Sequence, residues 1–186
     1  MDIRLTNLKG IVAATVIVLT ISGGTQVFAE SEADLLAELA QSDPKEAIGL
    51  ERELKALWGN SGSPAMNLLL KRGRDALERG DTREAIEHFT ALTDHAPDFA
   101  EGWNARASAF YDSGLIGPAL ADLERALYLN PNNYDAIFGL GVIFEQFGDS
   151  SRAYAAYSRA QAIHPHHDEV TKALERLKPE VEGEEL

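Results

Sequence analysis

Three prolines, Pro97, Pro131 and Pro165, stand 34 residues apart, and this interval constrains the fold more than any other feature of the chain. It is not confined to proline. Ala85, Ala119 and Ala153 repeat it, as do the bulky residues Phe89, Leu123 and Tyr157 and the glycines Gly80, Gly114 and Gly148. A fifth column holds the small residues Gly73, Ala107 and Gly141. A fixed period of this length marks an array in which each unit is one supersecondary element, too small to bury its own apolar face and therefore stacked on its neighbours.

The second copy, "AEGWNARASAFYDSGLIGPALADLERALYLNPNN", shows how one unit is built. Trp103, Ala107 and Phe110 fall at helical spacing and form one apolar stripe. Gly114 supplies the backbone freedom for a helix stop and a tight turn. A second helix is predicted from about Ile116 to Leu129, burying Ala119, Leu120, Leu123, Ala126 and Leu127. Ala107 and Ala119 are small where the two helices approach each other. Asn130-Pro131 ends the second helix and directs the chain into the next unit.

These columns resemble the tetratricopeptide repeat, whose pattern runs Trp/Leu, Gly/Ala, Tyr/Phe, then Ala, Phe/Tyr, Ala and Pro. The second copy carries Trp103, Ala107, Phe110, Ala119, Leu123, Ala126 and Pro131; the third carries Leu140, Gly141, Phe144, Ala153, Tyr157, Ala160 and Pro165. The first keeps Gly73, Ala85, Phe89 and Pro97 but has Ala76 in place of an aromatic and Leu92 in place of an alanine. The resemblance implies an all-α chain, a right-handed superhelical solenoid of antiparallel helix pairs, with repeats at 66–99, 100–133 and 134–167.

The flanks fit this scheme. "DEVTKALERL" is predicted to be an amphipathic capping helix over 168–178, starting with Asp168 as its cap and ending before Pro179, with an acidic tail over 179–186. Upstream, "EADLLAELAQ" and "DPKEAIGLERELKALW" read as two further helices within 30–65, the second opened by Asp43 as cap and Pro44 in its first turn. "DPKEAI" echoes "DTREAI" of the first repeat, offset by 38 residues rather than 34, so the pair reads as a degenerate leading repeat or an irregular cap before the "GNSGSPA" loop.

At the N-terminus, Arg4 and Lys9 precede the uncharged run Ile11–Ile21 and the small-residue exit around Val27 and Ala29. This pattern predicts a signal peptide over 1–29, cleaved after Ala29, since the apolar run is shorter than the roughly 20 residues of a spanning helix. No stable membrane insertion is expected after cleavage, and the setting is read as periplasmic. Losing two positive charges and one negative charge takes the formal net charge from −13 to −14. That balance argues against nucleic acid or anionic headgroups as partners. With no cysteine, disulfide and thiolate chemistry are excluded, as is a lipid-anchored cysteine.

The sequence carries no nucleophile elbow, phosphate loop or His-Glu-x-x-His, so no catalytic residue and no cofactor are assigned. What a solenoid offers is surface. The resemblance implies a concave face, lined by the first helix of each pair, that takes a peptide or protein segment. Its lining positions are Asn67, Leu70, Arg74, Leu77 and Glu78; then Glu101, Asn104, Ser108, Tyr111 and Asp112; then Asp135, Phe138, Val142, Glu145 and Gln146. Leu70, Arg74, Asn104, Ser108, Tyr111, Phe138, Val142 and Gln146 are the chosen contact residues. Exposed aromatic and aliphatic side chains often mark an interaction surface, while Asn104 and Ser108 can hydrogen-bond a partner's backbone. Acids outnumber Arg74 among these positions, so a neutral or basic partner is expected. The rival reading is a metal-handling or sensory protein using His164, His166 and His167 of "AIHPHHDEV". Pro165 places that cluster in an inter-repeat turn, and zinc wants three or four ligands in tetrahedral reach, so no metal site is assigned.

Overall fold

A computed structural model of the chain describes residues 31–184, which form nine α-helices and no strand. The predicted leader and its cleavage point lie outside the described residues, as do the last two residues of the predicted tail. None of the described helices is long and apolar enough to cross a membrane.

Six helices make three antiparallel hairpins: α3 (Pro64–Glu78) with α4 (Thr82–His95), α5 (Ala100–Asp112) with α6 (Ile116–Leu129), and α7 (Tyr134–Gln146) with α8 (Ser150–Ile163). Each hairpin turns on the glycine column. Gly80, Gly114 and Gly148 have φ of 77°, 74° and 73°, a left-handed backbone that side chains with a Cβ rarely adopt. Asp81 and Asp149 then accept a backbone N–H of the helix that follows. Between repeats the three proline turns close alike: Phe99, Asn133 and His167 each donate a backbone N–H to the carbonyl three residues earlier.

Within each hairpin, size is matched across the helix pair. A Cβ added at Gly73 would lie 2.2 Å from the Phe89 ring, and one at Gly141 would lie 2.4 Å from the Tyr157 ring. The second repeat has Ala107 facing the smaller Leu123. The buried aromatic therefore needs a glycine opposite it, and leucine leaves room for a methyl group.

Two features join the repeats that the column reading did not show. Arg106 on α5 grips the nearly buried Asp122 of α6 with two bonds, of 2.7 and 2.9 Å, and donates to Thr93 of α4 at 2.8 Å. Arg125 and Arg159 occupy equivalent positions in α6 and α8 and donate to the carbonyls of Pro97 and Pro131, at 3.2 and 2.5 Å. Both arginines are 34 residues apart, so this sixth column was legible in principle.

The closing helix α9 (Asp168–Glu184) packs on α8 through Val170, Ala173, Leu174 and Leu177. Two expectations are corrected here. The helix does not stop before Pro179 but continues through it to Glu184, because the apolar stripe has already anchored the helix and Ser150 donates to Glu180 at 2.7 Å beyond the proline. The cap is His167, not Asp168: the Val170 N–H points to His167 Nδ1 at 3.4 Å, and Asp168 is already the first helical residue. His167 thus fills the slot where Asn133 caps α7.

The N-terminal helices α1 (Glu32–Leu39) and α2 (Pro44–Trp58) form a hairpin whose ends are fixed by capping boxes at Ser31 and Asp43. This hairpin does not continue the stack in front of α3. It folds back, and its Leu35, Leu39, Ala47 and Leu54 join one apolar cluster with Tyr134 and Ile137 of α7, Tyr157 of α8 and Val170 of α9. Its loop lacks the turn glycine of the repeats, and its apolar residues, Ala47 included, are buried against α7–α9 rather than α3.

Candidate functional site

Between α5 and α7 the concave face opens into a cleft of about 400 Å³. Asn104, Ser108, Tyr111 and Asp112 form one wall and Asp135, Phe138 and Val142 the other, over a floor that includes Ala107 and Leu123. A second depression of about 560 Å³ continues from it, sharing Tyr111, Phe138 and Val142 and adding Gln146, Tyr157 and the α9 residues Glu169, Lys172 and Arg176. Six of the eight chosen contact residues therefore line one continuous groove: Asn104, Ser108, Tyr111, Phe138, Val142 and Gln146.

The other two do not. Leu70 is 2% exposed, within the core formed by Phe89 and Leu92, so it supports α3 rather than facing a ligand. Arg74 is committed to Glu101, with Nη2 to Oε1 at 2.6 Å. Glu101 also accepts from Asn104 and Asn133, at 3.2 and 3.3 Å. Burial pushes the Glu101 carboxyl above the usual carboxylate range, and the charge of Arg74 only partly offsets this.

Two further lining acids, Glu145 and Asp135, are also partnered, while Asp112 is exposed. Glu145 Oε2 accepts from the Tyr157 hydroxyl and from Arg176, each at 3.0 Å. Burial pushes the Tyr157 hydroxyl up to about 12, so it is a hydrogen-bond donor at neutral pH. Asp135 meets Lys55 of α2 at 3.5 Å and His167 at 3.7 Å. Burial alone would raise its carboxyl, but the His167 hydrogen bond and the Lys55 charge outweigh that and hold it low. Asp135 belongs to both the cleft wall and the Lys55 pair, so α2 abuts the groove at that residue.

The histidine cluster turns out to be the seat of that arm. His166 Nε2 lies 2.7 Å from the Ser42 carbonyl, His164 Nε2 lies 3.6 Å from Glu51, and His167 stacks on Phe138 at 5.4 Å between ring centroids. His164 and His167 pack edge-on, with centroids 5.4 Å apart, but the polar contacts of the three imidazoles go to different protein partners. Among the described residues, no group of three or more histidine, cysteine or carboxylate side chains is arranged to hold a metal ion. Sequence reasoning placed the cluster in a turn correctly, but nothing local to it names Ser42 or Glu51, more than a hundred residues away.

Chemically, the groove offers aromatic and aliphatic surface, the amides of Asn104 and Gln146 and several hydroxyls, with Asp135 and Glu145 paired to cations. Residues 70–117 and 105–168 match the family described as tetratricopeptide repeat, more than half of the chain. This chain belongs to the tetratricopeptide repeat (TPR) family. A TPR repeat-containing protein of Rhizobium etli is 28% identical over 125 residues, covering 67% of this chain and 61% of its own length, so the chain spans about three fifths of that relative. Two solved structures share the fold while holding peptides. The first TPR of Spaghetti (RPAP3), bound to the HSP90 peptide SRMEEVD, aligns with TM-score 0.60 at 23% identity, over 62% of this chain and 92% of that one. The Yersinia enterocolitica secretion chaperone SycD, bound to a peptide of the translocator YopD, aligns with TM-score 0.59 at 15% identity, over 63% and 95%.

Proposed function

We propose that this TPR protein is a non-catalytic interaction module that binds a segment of a partner protein in the groove between α5, α7 and α9. The observation that carries this reading is the open cleft in which Tyr111, Phe138 and Val142 stand beside the polar pair Asn104 and Ser108. An aromatic or aliphatic side chain of the partner enters between the rings, and its backbone is held by the amide and hydroxyl groups. The fold neighbours with bound peptides support a peptide-binding role for the fold.

The partner segment is neutral or basic. Asp112, Asp135, Glu145 and Glu169 line the groove against Lys172 and Arg176, an excess of acids that repels a sequence such as SRMEEVD. The protein works in the bacterial cell envelope as an adaptor or assembly factor; the leader-like composition of residues 1–29 supports export.

Binding of a peptide library to the full chain at low and high salt tests this function. Tyr111→Ala and Phe138→Ala are each expected to weaken the best ligands by about 2 kcal/mol, the range of an interface hot spot. Equal binding by both variants overturns the groove assignment, and a preference for acidic peptides overturns the charge assignment. Cell fractionation with N-terminal sequencing tests the compartment, with Glu30 expected as the first residue of the exported protein.

A further inference from the structure

The arm α1–α2 is held in place by side-chain packing and by one contact to its main chain, His166 Nε2 on the Ser42 carbonyl. No other element approaches α1 or α2 backbone to backbone as closely as they approach each other. The docking contacts form a line along α2. Ser42 meets His166 and Glu51 meets His164; then Lys55 meets Asp135 and Trp58 meets Tyr134, with ring centroids 5.2 Å apart. At its far end Gly59 comes close to Arg74. The helix therefore runs from the start of α9, past the start of α7, toward α3, along one edge of the concave face.

Three observations mark this seam as imperfect. A crevice of about 620 Å³ remains between Pro44, Ala47, Ile48 and Glu51 of the arm and the His164–Thr171 segment. The Tyr134 hydroxyl and His164 Nδ1 are buried there without a hydrogen-bond partner, an arrangement that costs stability in the docked state. Ile48 stays 60% exposed in the crevice although it belongs to the docking helix. The arm is tethered only through the loop 59–63, which contains Gly62 at φ 75°.

We propose that α2 is a resident, displaceable occupant of the edge of the concave face beside the groove, competing for that edge with an amphipathic helix of a partner. This deepens the binding function proposed above and rests on it. The partner's chemistry is that of the occupant it replaces: an apolar stripe ending in an aromatic residue, with a lysine or arginine three positions earlier to meet Asp135. Release of the arm frees Asp135 from Lys55 and joins the open cleft to the surface of Tyr134, His164 and His167, so a long helical ligand can lie where only a short segment fits now.

The test uses the full chain and a labelled peptide of residues 44–58. Wild type should bind the peptide weakly, because its own arm is present at high effective concentration. Lys55→Asp with Trp58→Ala in the chain should tighten binding about tenfold, a shift of about 1.4 kcal/mol. Adding Asp135→Lys should abolish the gain. Hydrogen exchange should show α2 losing protection while α3–α9 retain it. Equal peptide binding by wild type and the double variant overturns the proposal, as does loss of protection spreading through α7–α9. If the double variant loses its helical signal, Lys55→Asp alone carries the same test, since that side chain is 46% exposed. A negative result here, together with loss of library binding in Tyr111→Ala, overturns arm exchange and leaves the groove assignment standing.

Discussion

The repeat hairpins and the N-terminal hairpin are both antiparallel helix pairs, yet they are fastened to the molecule by different physics. In the repeats, glycine and alanine let a neighbouring ring or leucine rest against backbone, as Phe89 does on Gly73 and Tyr157 on Gly141. Such contacts tolerate no displacement, because interiors are close-packed and a methyl group has nowhere to go. The arm has no glycine against which a ring rests; it docks through Leu39, Ala47 and Leu54 in the shared apolar cluster and through long side chains, Trp58 to Tyr134, Lys55 to Asp135 and Glu51 to His164. Rigid stacking and detachable docking thus coexist in one chain, and the size of the facing residue decides which applies.

The largest expected effect lies on the rigid side. Asp122 is 5% exposed and takes two bonds from Arg106, which in turn reaches Thr93 across the repeat boundary. Asp122→Ala leaves the guanidinium buried without its counter-charge. Removing one partner of a buried pair costs about 3–5 kcal/mol, so chemical denaturation should show a loss of that order. A loss within the range of an exposed pair, about 0–1 kcal/mol, would mean the repeats are not joined through this contact.

The size-matching rule is sharper and its effect smaller. Gly73→Ala places a methyl group 2.2 Å from a fully buried ring. Overpacking of this kind costs about 1–3 kcal/mol, against a gain of about 1 kcal/mol from helix propensity, so a net loss is expected. Phe89→Leu alone leaves a void. Combining the two recreates the Ala107–Leu123 pairing of the second repeat, and the double variant should be more stable than the sum of the singles. Strict additivity in a double-mutant cycle would refute the rule.

The difference between the two regions also explains what the sequence disclosed. The period, hairpin turns and groove rows are local or repeat at a fixed offset, so Tyr111, Phe138 and Val142 could be placed by counting. Leu70 was misjudged because the first repeat departs from the pattern and the same row there turns into the core beside Phe89. Arg125 and Arg159 do repeat, but an arginine on an exposed helix face reads as solvated decoration until its carbonyl acceptor is seen. The docking of α2 was beyond reach for a different reason. It rests on a 124-residue separation between His166 and Ser42, and no periodicity encodes a contact formed once.

The finest distinction between the regions is pH. His164 is 3% exposed, and it is faced by Glu51 from α2, Tyr134 and Asp135 from α7 and His167 from its own turn, with Lys55 of α2 pairing the same Glu51 and Asp135. Burial lowers its pKa, and the nearby Glu51 carboxylate only partly restores it. With Nε2 toward Glu51, a second proton would sit on Nδ1, a buried atom with no acceptor. A histidine with a depressed pKa contributes its stability above the unfolded value of about 6.5, and that contribution is lost as pH falls below it. The lowered carboxyls of Glu51 and Asp135 act in the same direction but only below about 4. The raised carboxyl of Glu101 opposes them within the carboxylate range, not at histidine pH. Hydrogen exchange of α2, corrected for intrinsic rates, should therefore be flat from pH 8 to about 6.5 and rise toward about 5, while α3–α6 remain unchanged. His164→Gln should flatten that rise. If α2 and α5 respond to acid equally, or the variant keeps the wild-type profile, this turn does not make the arm's docking any more sensitive to pH than the repeats themselves.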